Sequence, residues 1–200
     1  FTIQKTGTAS APVTIRSAPG ATAHITYVDG SQNVINVENS AHFRLIGLEV
    51  SGGSHGIRIL DSDDITVDRC HIHDTADVGL SANVPGGTYE RLRLSRNHIH
   101  HTGGHGEGMY LGCNHADCVF HDNLIERCWI HDTNHSVSQG DGIEIKDGGG
   151  NLETLLSRYD RALKQVAALM DVPLDEALTG DQAAERLLDQ LGRELLARQV

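Results

Sequence analysis

Apolar and polar residues alternate over short stretches in the first three-quarters of the chain. Ile65 and Val67 are separated by a polar residue in one stretch, and Leu92 and Leu94 in another. A period of two is typical of a β-strand that buries one face. The alternation slips between Val67 and Cys70, which indicates a bend between two short strands. The pattern therefore predicts short strands joined by tight bends.

These alternating stretches repeat along the chain. A strand–bend–strand segment occurs at residues 65–75, 92–102 and 123–133, and a looser copy lies at 43–50. Each copy is followed by a shorter segment that begins with glycine, at residues 79–82, 108–111, 142–145 and, for the looser copy, 56–59. Apolar residues alternate again in these shorter segments, so each repeat predicts three short strands.

The repeat length grows along the chain. Val50, Ile72, Ile99 and Ile130 occupy equivalent positions, at successive spacings of 22, 27 and 31 residues. Self-similarity at such a period is typical of solenoids. The connections are too short for the helical crossovers of βαβ units. We therefore predict a mainly β fold over residues 1–147, a parallel β-helix whose coils stack about 4.8 Å apart.

The composition changes near the glycine run at residues 148–150. All 13 histidines lie at or before His135, and only Gly180 and Gly192 of the 22 glycines lie beyond residue 150. From residue 152 onward leucines recur at helical spacing, in two amphipathic segments. We predict a Gly-rich junction at 148–151 and a C-terminal α-helical hairpin at 152–200. The hairpin could cap the open end of the β-helix, mediate self-association or be a foreign appendage.

Charge and hydropathy exclude several classes of function. The 16 Lys and Arg residues are outnumbered by 27 Asp and Glu residues, which gives a formal net charge of −11. Non-specific nucleic-acid binding needs a basic surface, so we expect no nucleic-acid partner. No apolar run is long enough to span a membrane, and no signal peptide is visible. Since the chain begins with strand-like residues and not with Met, we expect a processed or truncated piece.

The four cysteines fall into two pairs. Cys70 and Cys128 occupy the same position of the repeat as Asn97, which could satisfy buried backbone groups there. Two coils separate these cysteines by about 9 to 10 Å. This exceeds the limit of roughly 7 Å between the Cα atoms of a disulfide, so we predict free buried thiols. Cys113 and Cys118 flank a short loop, where a disulfide and two reduced thiols both stay open.

The repeats resemble those of the pectate-lyase-like right-handed parallel β-helix proteins over residues 1–147. The resemblance rests on residues 7–17 with Pro19 and Gly20, on Asn-x-Ile-His-x-Thr segments such as 97–102, and on 106–108 and 140–144. It implies a right-handed β-helix, a secreted or cell-surface location in a bacterium, and a polysaccharide partner. The polysaccharide is commonly acidic, and calcium often takes part. Since this fold hosts lyases, glycoside hydrolases, epimerases and adhesive proteins, function must be argued from the site.

The third strands of the repeats predict two outward-facing columns of side chains. The columns are His55, Val78, Glu107 and Asp141, and Arg58, Ser81, Tyr110 and Glu144. Glu107, Asp141 and Glu144 would lie close together on neighbouring coils, and several carboxylate oxygens suit Ca²⁺. We therefore predict a calcium site at these three residues. The alternative is that they are solvated residues on the outer face of stacked strands.

A lyase would use the same columns for calcium-assisted β-elimination on a uronate polysaccharide. Calcium would neutralise the uronate carboxylate and ease removal of the C5 proton. Because the resemblance implies a Lys or Arg base, Lys146 is the first candidate and Arg58 the second, with His105 as a further catalytic residue. The predicted substrate contacts are Tyr110, Gln139 and His135.

Three other interpretations stay open. Paired carboxylates about 5 to 10 Å apart would suit a glycoside hydrolase, with one as the acid and the other as the base or nucleophile. A non-catalytic β-helix would bind a glycan or another surface without turnover. A fragment, or an engineered junction near Gly148, would have no independent activity.

Histidines recur in the repeat as well. His73, His100 and His131 should stack, and three imidazoles one coil apart could bind a transition metal. The alternative is a turn-forming ladder, in which these histidines and the adjacent column Asp74, His101 and Asp132 cap backbone groups. A threonine column, Thr75, Thr102 and Thr133, would line the corner. Because the repeat itself explains these columns, we favour the ladder. The non-periodic His105, His115 and His135 are the better functional candidates, since they lie in the loops that lengthen between coils.

Overall fold

The computed structural model describes residues 1–114, 117–134 and 140–146, and every structural statement below refers to these residues. Their regular structure consists of short β-strands. In chain order the strands are β1 (Thr2–Ile3), β2 (Val13–Arg16), β3 (Ala23–Tyr27), β4 (Ile35–Glu38), β5 (Ala41–Ile46), β6 (Leu48–Gly52), β7 (Ile57–Leu60), β8 (Asp63–Asp68), β9 (His71–Thr75), β10 (Leu80–Ala82), β11 (Thr88–Glu90), β12 (Arg93–Ser95), β13 (His98–Thr102), β14 (Met109–Leu111), β15 (Val119–His121), β16 (Leu124–Glu126), β17 (Trp129–His131) and β18 (Ile143–Ile145).

The strands form three parallel sheets that the chain visits in turn. Sheet 1 has the order β1-β4-β7-β10-β14-β18, sheet 2 the order β16-β12-β8-β5-β2, and sheet 3 the order β17-β13-β9-β6-β3. Strands β11 and β15 form a further two-stranded parallel sheet. A strand in sheet 2 is followed by one in sheet 3 and one in sheet 1, and each pairs with its counterpart one coil away. The predicted parallel β-helix is confirmed.

The core follows the predicted inward columns. Val50 pairs with Ile72, Ile72 with Ile99, and Ile99 with Ile130. The first three are fully buried, and Ile130 packs against the core while partly exposed. Because these residues stay in register although the repeat lengthens, the extra residues of the later coils lie in the loops.

Close packing requires the glycine before β7, β10 and β14, because a Cβ at Gly56, Gly79 or Gly108 would lie 2.4 to 2.5 Å from a methyl carbon of a core isoleucine. A Cβ at Gly79 would lie 2.4 Å from a methyl carbon of Ile99 and 2.7 Å from the carbonyl oxygen of Gly108. Gly108 has equivalent neighbours one coil further on, Ile130 and Gly142. The start of sheet 1 therefore passes too close to the core of sheet 3 and to the next coil for any side chain.

The corner after sheet 3 confirms one part of the predicted ladder and corrects another. The hydroxyls of Thr75, Thr102 and Thr133 each donate to a backbone carbonyl in the following loop. The histidines and aspartates contact one another instead: the His73 and His131 rings lie 2.7 and 2.8 Å from the carboxylates of the residues that follow them. The prediction that they cap backbone groups is therefore wrong. The physical reason is the left-handed backbone at Asp74, His101 and Asp132, which have φ of 54°, 52° and 49° and adjoin the outward-facing rings.

The cysteines behave as two different pairs. Cys70 and Cys128 are free thiols, the first buried and the second half-buried. Asn97 lies between them, accepts from the backbone N–H of Cys70 at 3.0 Å and donates to a backbone carbonyl at 2.9 Å. Cys113 and Cys118 form a disulfide with a Cα–Cα distance of 5.6 Å.

Several predictions lie outside the described residues. These are the junction at 148–151, the helical hairpin at 152–200, the substrate contacts His135 and Gln139, and the loop residue His115. Within the described ranges, no helix is long and apolar enough to cross a membrane.

Candidate functional site

A cavity of about 250 Å³ opens on the outer face of sheet 1. It brings together four of the predicted site residues, Arg58, His105, Glu107 and Tyr110. The full lining is His55, Arg58, Asp77, Val78, Asn83, His105, Glu107 and Tyr110.

The register of sheet 1 builds the floor of the cavity. Arg58 pairs with Ser81, Ser81 with Tyr110, and Tyr110 with Glu144, as the sequence predicts. Side chains in register on adjacent strands point to the same face. The small side chain of Ser81 between Arg58 and Tyr110 leaves room for the cavity.

Two loops supply its wall. Asp77 follows β9, and its Oδ1 accepts from the backbone N–H of His105 at 2.8 Å and lies 3.3 Å from His105 Nδ1. This contact fixes one nitrogen of the ring and leaves Nε2 for another partner. The His105 side chain is 72% exposed, so that nitrogen is accessible.

His55 is the buried histidine of the site. Its Nδ1 lies 2.7 Å from the Ser81 hydroxyl, and its Nε2 lies 3.7 Å from Asp77. Burial and, secondarily, the positive charge of Arg58 lower the pKa of His55 to about 4. His55 is therefore neutral at neutral pH, and Asp77 has an imidazole on each side.

A charged group extends the site onto the next coil. The Lys146 ammonium bonds to the Glu144 carboxylate and lies 5.5 Å from the ring centre of Tyr110. The bond to Glu144 raises the pKa of Lys146. Burial raises the pKa of Glu107, and the charges of Glu144 and Asp77 raise it further. The site thus combines a firmly protonated lysine with a carboxyl group whose pKa is raised by burial.

Three buried polar atoms concentrate at this site without a hydrogen-bond partner from the described residues. They are Arg58 Nε, Asn83 Oδ1 and Glu144 Oε2. Leaving such a group unsatisfied costs about 1 to 3 kcal/mol. Arg58 and Asn83 line the cavity, and Glu144 pairs with one of its lining residues. One donor and two acceptors are therefore placed to bind a polar ligand.

The predicted calcium ligands do not converge on one point. Glu107 is only 3% exposed, whereas Asp141 is exposed in the loop before β18. Glu144 is bonded to Lys146. Within the described ranges, the groups of three ligand atoms within 4.8 Å of one another do not include these residues. The donor set does not fit a calcium ion, and calcium stays a prediction from the sequence.

Sequence reasoning missed His55, Asp77 and Asn83 as members of the site. His55 belonged to a predicted column but had no assigned role. Asp77 and Asn83 lie in loops that flank sheet 1, where the repeat gives no alignment. The detectable signal was their position next to a strand end, since solenoid loops commonly carry the binding face.

A second cavity, of about 370 Å³, lies on the face of sheet 2. Its charged lining includes Arg91, which forms two 3.0 Å contacts with the carboxylate of Asp64. His42 lies 3.8 Å from the same carboxylate. These charges satisfy one another, so we place the candidate site on sheet 1.

Comparisons with known proteins agree with this architecture. No curated protein matches the chain. Among solved structures, the chain is similar to an alginate lyase from Paenibacillus sp. str. FPU-7, with 25% identity and a TM-score of 0.55. The match covers 74% of this chain and 47% of that one, so the chain spans about half the length of that lyase. A family model described as a right-handed β-helix region matches residues 13–157, and the chain belongs to that family.

Proposed function

We propose that this protein is a polysaccharide lyase that cleaves a uronate-containing polysaccharide by β-elimination in the sheet 1 cavity. The observation that carries the proposal is the convergence of three functions on one face: an arginine with an unpartnered N–H, a carboxylate-bound histidine, and a protonated lysine beside a tyrosine. The solved alginate lyase to which the chain is similar supports this class of substrate.

The reaction makes three demands on a site. The uronate carboxylate must be neutralised, so that the neighbouring C5 proton becomes more acidic. A base must remove that proton, and an acid must protonate the glycosidic oxygen at C4 as it leaves. Each demand can be assigned to a residue described above.

Arg58 suits the carboxylate. Its guanidinium is always charged, and its planar fork matches a carboxylate with two parallel hydrogen bonds. Arg58 Nε has no protein partner among the described residues, so binding would satisfy a buried donor. In this role Arg58 stabilises the negative charge that develops as the C5 proton leaves.

His105 suits the base. Asp77 holds its Nδ1 side, which orients the ring and stabilises the imidazolium that forms on proton uptake. Removal of the proton by Nε2 leaves the C5 electron pair to form the C4–C5 double bond. The C4–O bond breaks as this double bond forms.

Lys146 suits the acid. The sequence predicts Lys146 as the base, but its bond to Glu144 raises its pKa and favours the protonated form. A protonated ammonium can donate to the leaving oxygen, which takes the electron pair of the broken C–O bond. Tyr110 beside it offers a ring against which a sugar can pack.

The test is an ultraviolet assay of the full chain on alginate, pectate and glycosaminoglycans, because β-elimination creates an absorbing unsaturated uronide. We expect turnover of at least one polymer, and His105→Gln should lower kcat by about 10² to 10⁴-fold, as loss of a general base does. His121→Gln is the matched control, since His121 lies on β15, pairs with Glu90 on β11 and does not line the cavity. Absence of product from every polymer, or equal loss in the control, would reject the proposal.

The same assay tests whether the reaction requires calcium. The donors at Glu107, Asp141 and Glu144 do not fit the ion, so no step above uses it. The reaction is run with added Ca²⁺ and with EDTA. Activity that survives EDTA would remove calcium from the mechanism, and activity restored only by Ca²⁺ would support the prediction from the sequence.

A glycoside hydrolase is the second candidate. It is favoured by Glu107, whose raised pKa suits a general acid, and by the nearby Glu144 carboxylate. A hydrolase would release reducing ends without ultraviolet absorbance, and Glu107→Gln would abolish them.

A purely glycan-binding module would retain the polymer without cleaving it, and Tyr110→Ala would weaken that retention.

We also propose that the protein is secreted or lies at the cell surface. The Cys113–Cys118 disulfide supports this, since disulfides persist in oxidising compartments. Self-association through residues 152–200 stays a prediction from the sequence.

A further inference from the structure

The outer face of sheet 3 carries two adjacent columns of rings, at a site separate from the sheet 1 cavity. In each coil, the two columns take the outward residues immediately before and after one inward residue. His71 and His73, for example, flank the buried Ile72. Column one is His24, Glu49, His71, His98 and Trp129, and column two is Thr26, Ser51, His73, His100 and His131.

Within each column the rings stack. His71 and His98 are 4.7 Å apart between ring centres and 4° from parallel, and His98 stacks on Trp129 at 4.3 Å and 6°. His73 and His100 are 5.3 Å apart and 11° from parallel. These values follow the spacing between coils. Stacking along each column is what a ladder of equivalent residues in successive coils produces, as the sequence predicted.

The ladder does not account for the contacts between columns. His71 Nε2 lies 2.7 Å from His100 Nε2, and His98 Nε2 lies 2.8 Å from His131 Nε2. Two ring nitrogens this close require at least one to be unprotonated, because two N–H donors would repel each other. Each pair therefore presents a nitrogen lone pair at the seam between the columns.

A third nitrogen completes a ligand set. One ring nitrogen each from His71, His98 and His100 lies within 4.8 Å of the other two. Nitrogens that share a tetrahedral zinc ion at about 2.0 to 2.1 Å lie about 3.3 Å apart. The three rings are half-buried on the outer face, so the small adjustment to this spacing leaves the Ile72–Ile99 core in place.

A further contact orients one of these rings. The Nδ1 of His100 lies 2.5 Å from the Nδ1 of His101. A metal-binding histidine commonly uses its other ring nitrogen in such a hydrogen bond, which fixes the ring and the tautomer. The Nε2 of His100 is thereby left on the side of His71.

We propose that His71, His98 and His100 bind one divalent transition-metal ion of the zinc, nickel or copper class. Imidazole nitrogens favour these ions over calcium and magnesium, which select oxygen. Three protein ligands leave a fourth position for water. The ion joins β9 to β13 and so ties two neighbouring coils together. The proposal does not depend on the lyase reaction, because it concerns a different sheet.

A second group of three, His24, Glu49 and His73, lies on the same face. Its members already pair with one another and with Asp74: His73 lies 3.3 Å from Glu49 and 2.7 Å from the Asp74 carboxylate. It therefore serves as an internal comparison. Glu49→Gln removes a ligand from this group and none from the proposed site.

The test is calorimetric titration of the full chain with Zn²⁺. We expect one saturable equivalent, and His98→Gln and His100→Gln should each weaken binding by about 100-fold or more, since loss of an outer-shell partner alone costs up to about 100-fold. Glu49→Gln and His121→Gln should bind as the parent does. Unchanged affinity in the two ligand variants, or loss of binding only in Glu49→Gln, overturns the proposal.

A second measurement needs no substitution. The electron paramagnetic resonance spectrum of the parent chain loaded with one equivalent of Cu²⁺ reports the number of nitrogen ligands. We expect splitting from three imidazole nitrogens, together with a higher melting temperature in Zn²⁺. A spectrum dominated by oxygen ligands, or the absence of a one-equivalent complex, would show that His71 and His100 form only a hydrogen-bonded pair.

Discussion

Burial of one imidazole couples the candidate site to the stability of the fold. The His55 side chain is 12% exposed and contacts Ser81, and its pKa of about 4 lies below the unfolded value of 6.5. Above pH 6.5 the group is neutral in both states, and its full contribution to stability is present. As the pH falls from 6.5 towards 4, His55 binds a proton in the unfolded chain but not in the folded chain. Stability is therefore lost over this window.

We expect acid to destabilise the parent protein more than His55→Gln. Between pH 7.5 and 5, this titration should lower the free energy of unfolding of the parent by roughly 2 kcal/mol relative to the variant. Urea denaturation at the two pH values measures both changes. Comparing the two proteins cancels the titration of the groups that the substitution does not touch. Equal pH dependence in the two proteins would show that His55 titrates normally.

At the level of the strands, the alternation of residues was enough to predict the columns. Each coil repeats the positions of the one before, so Arg58, Ser81, Tyr110 and Glu144 could be aligned from their spacing to the preceding glycine. The extent to which each side chain is buried could not be predicted in this way. Glu107 was predicted to face outward, but it is only 3% exposed and lines the cavity, where the loops before the third strands differ in length.

The column of Cys70, Asn97 and Cys128 allows a prediction about how the bends between strands are stabilised. Asn97 is 1% exposed and satisfies a buried N–H and a buried carbonyl at the bend. We expect Asn97→Ala to lower the free energy of unfolding by about 1 to 3 kcal/mol for each group left unsatisfied. Asn97→Cys is the matched comparison, since cysteine occupies the same position in the neighbouring coils. Urea denaturation measures both, and an alanine variant within about 0.5 kcal/mol of the parent, the usual range for a surface change, would contradict this role.

At the scale of the whole molecule, repetition explains which parts were predictable. The β-helix follows from the period, because stacking coils bury a continuous core. The cavity does not, because it depends on a contact between loops that do not repeat: Asp77 with the backbone and ring of His105. The seam between the histidine columns was missed for another reason. The sequence shows residues along one column, whereas His71 and His100 meet diagonally across two.

The charge of the chain opposes the proposed substrate, and this gives a prediction about salt. A formal net charge of −11 repels a polyuronate at long range, although Arg58 and Lys146 attract it at the site. The screening length falls from about 30 Å at 0.01 M salt to about 10 Å at 0.1 M. We therefore expect the KM for a long polyuronate to fall over this range, since distant repulsion is screened before contacts in the cavity are.

A short uronate oligosaccharide is the control for the salt effect, because it carries few charges beyond the cavity. Its KM should change less than that of the polymer when both are measured from initial rates at the two salt concentrations. A KM that rises with salt for the polymer would mean that local attraction outweighs the net charge. The binding surface would then have to extend over basic residues beyond Arg58 and Lys146, and the single-cavity description of the site would be insufficient.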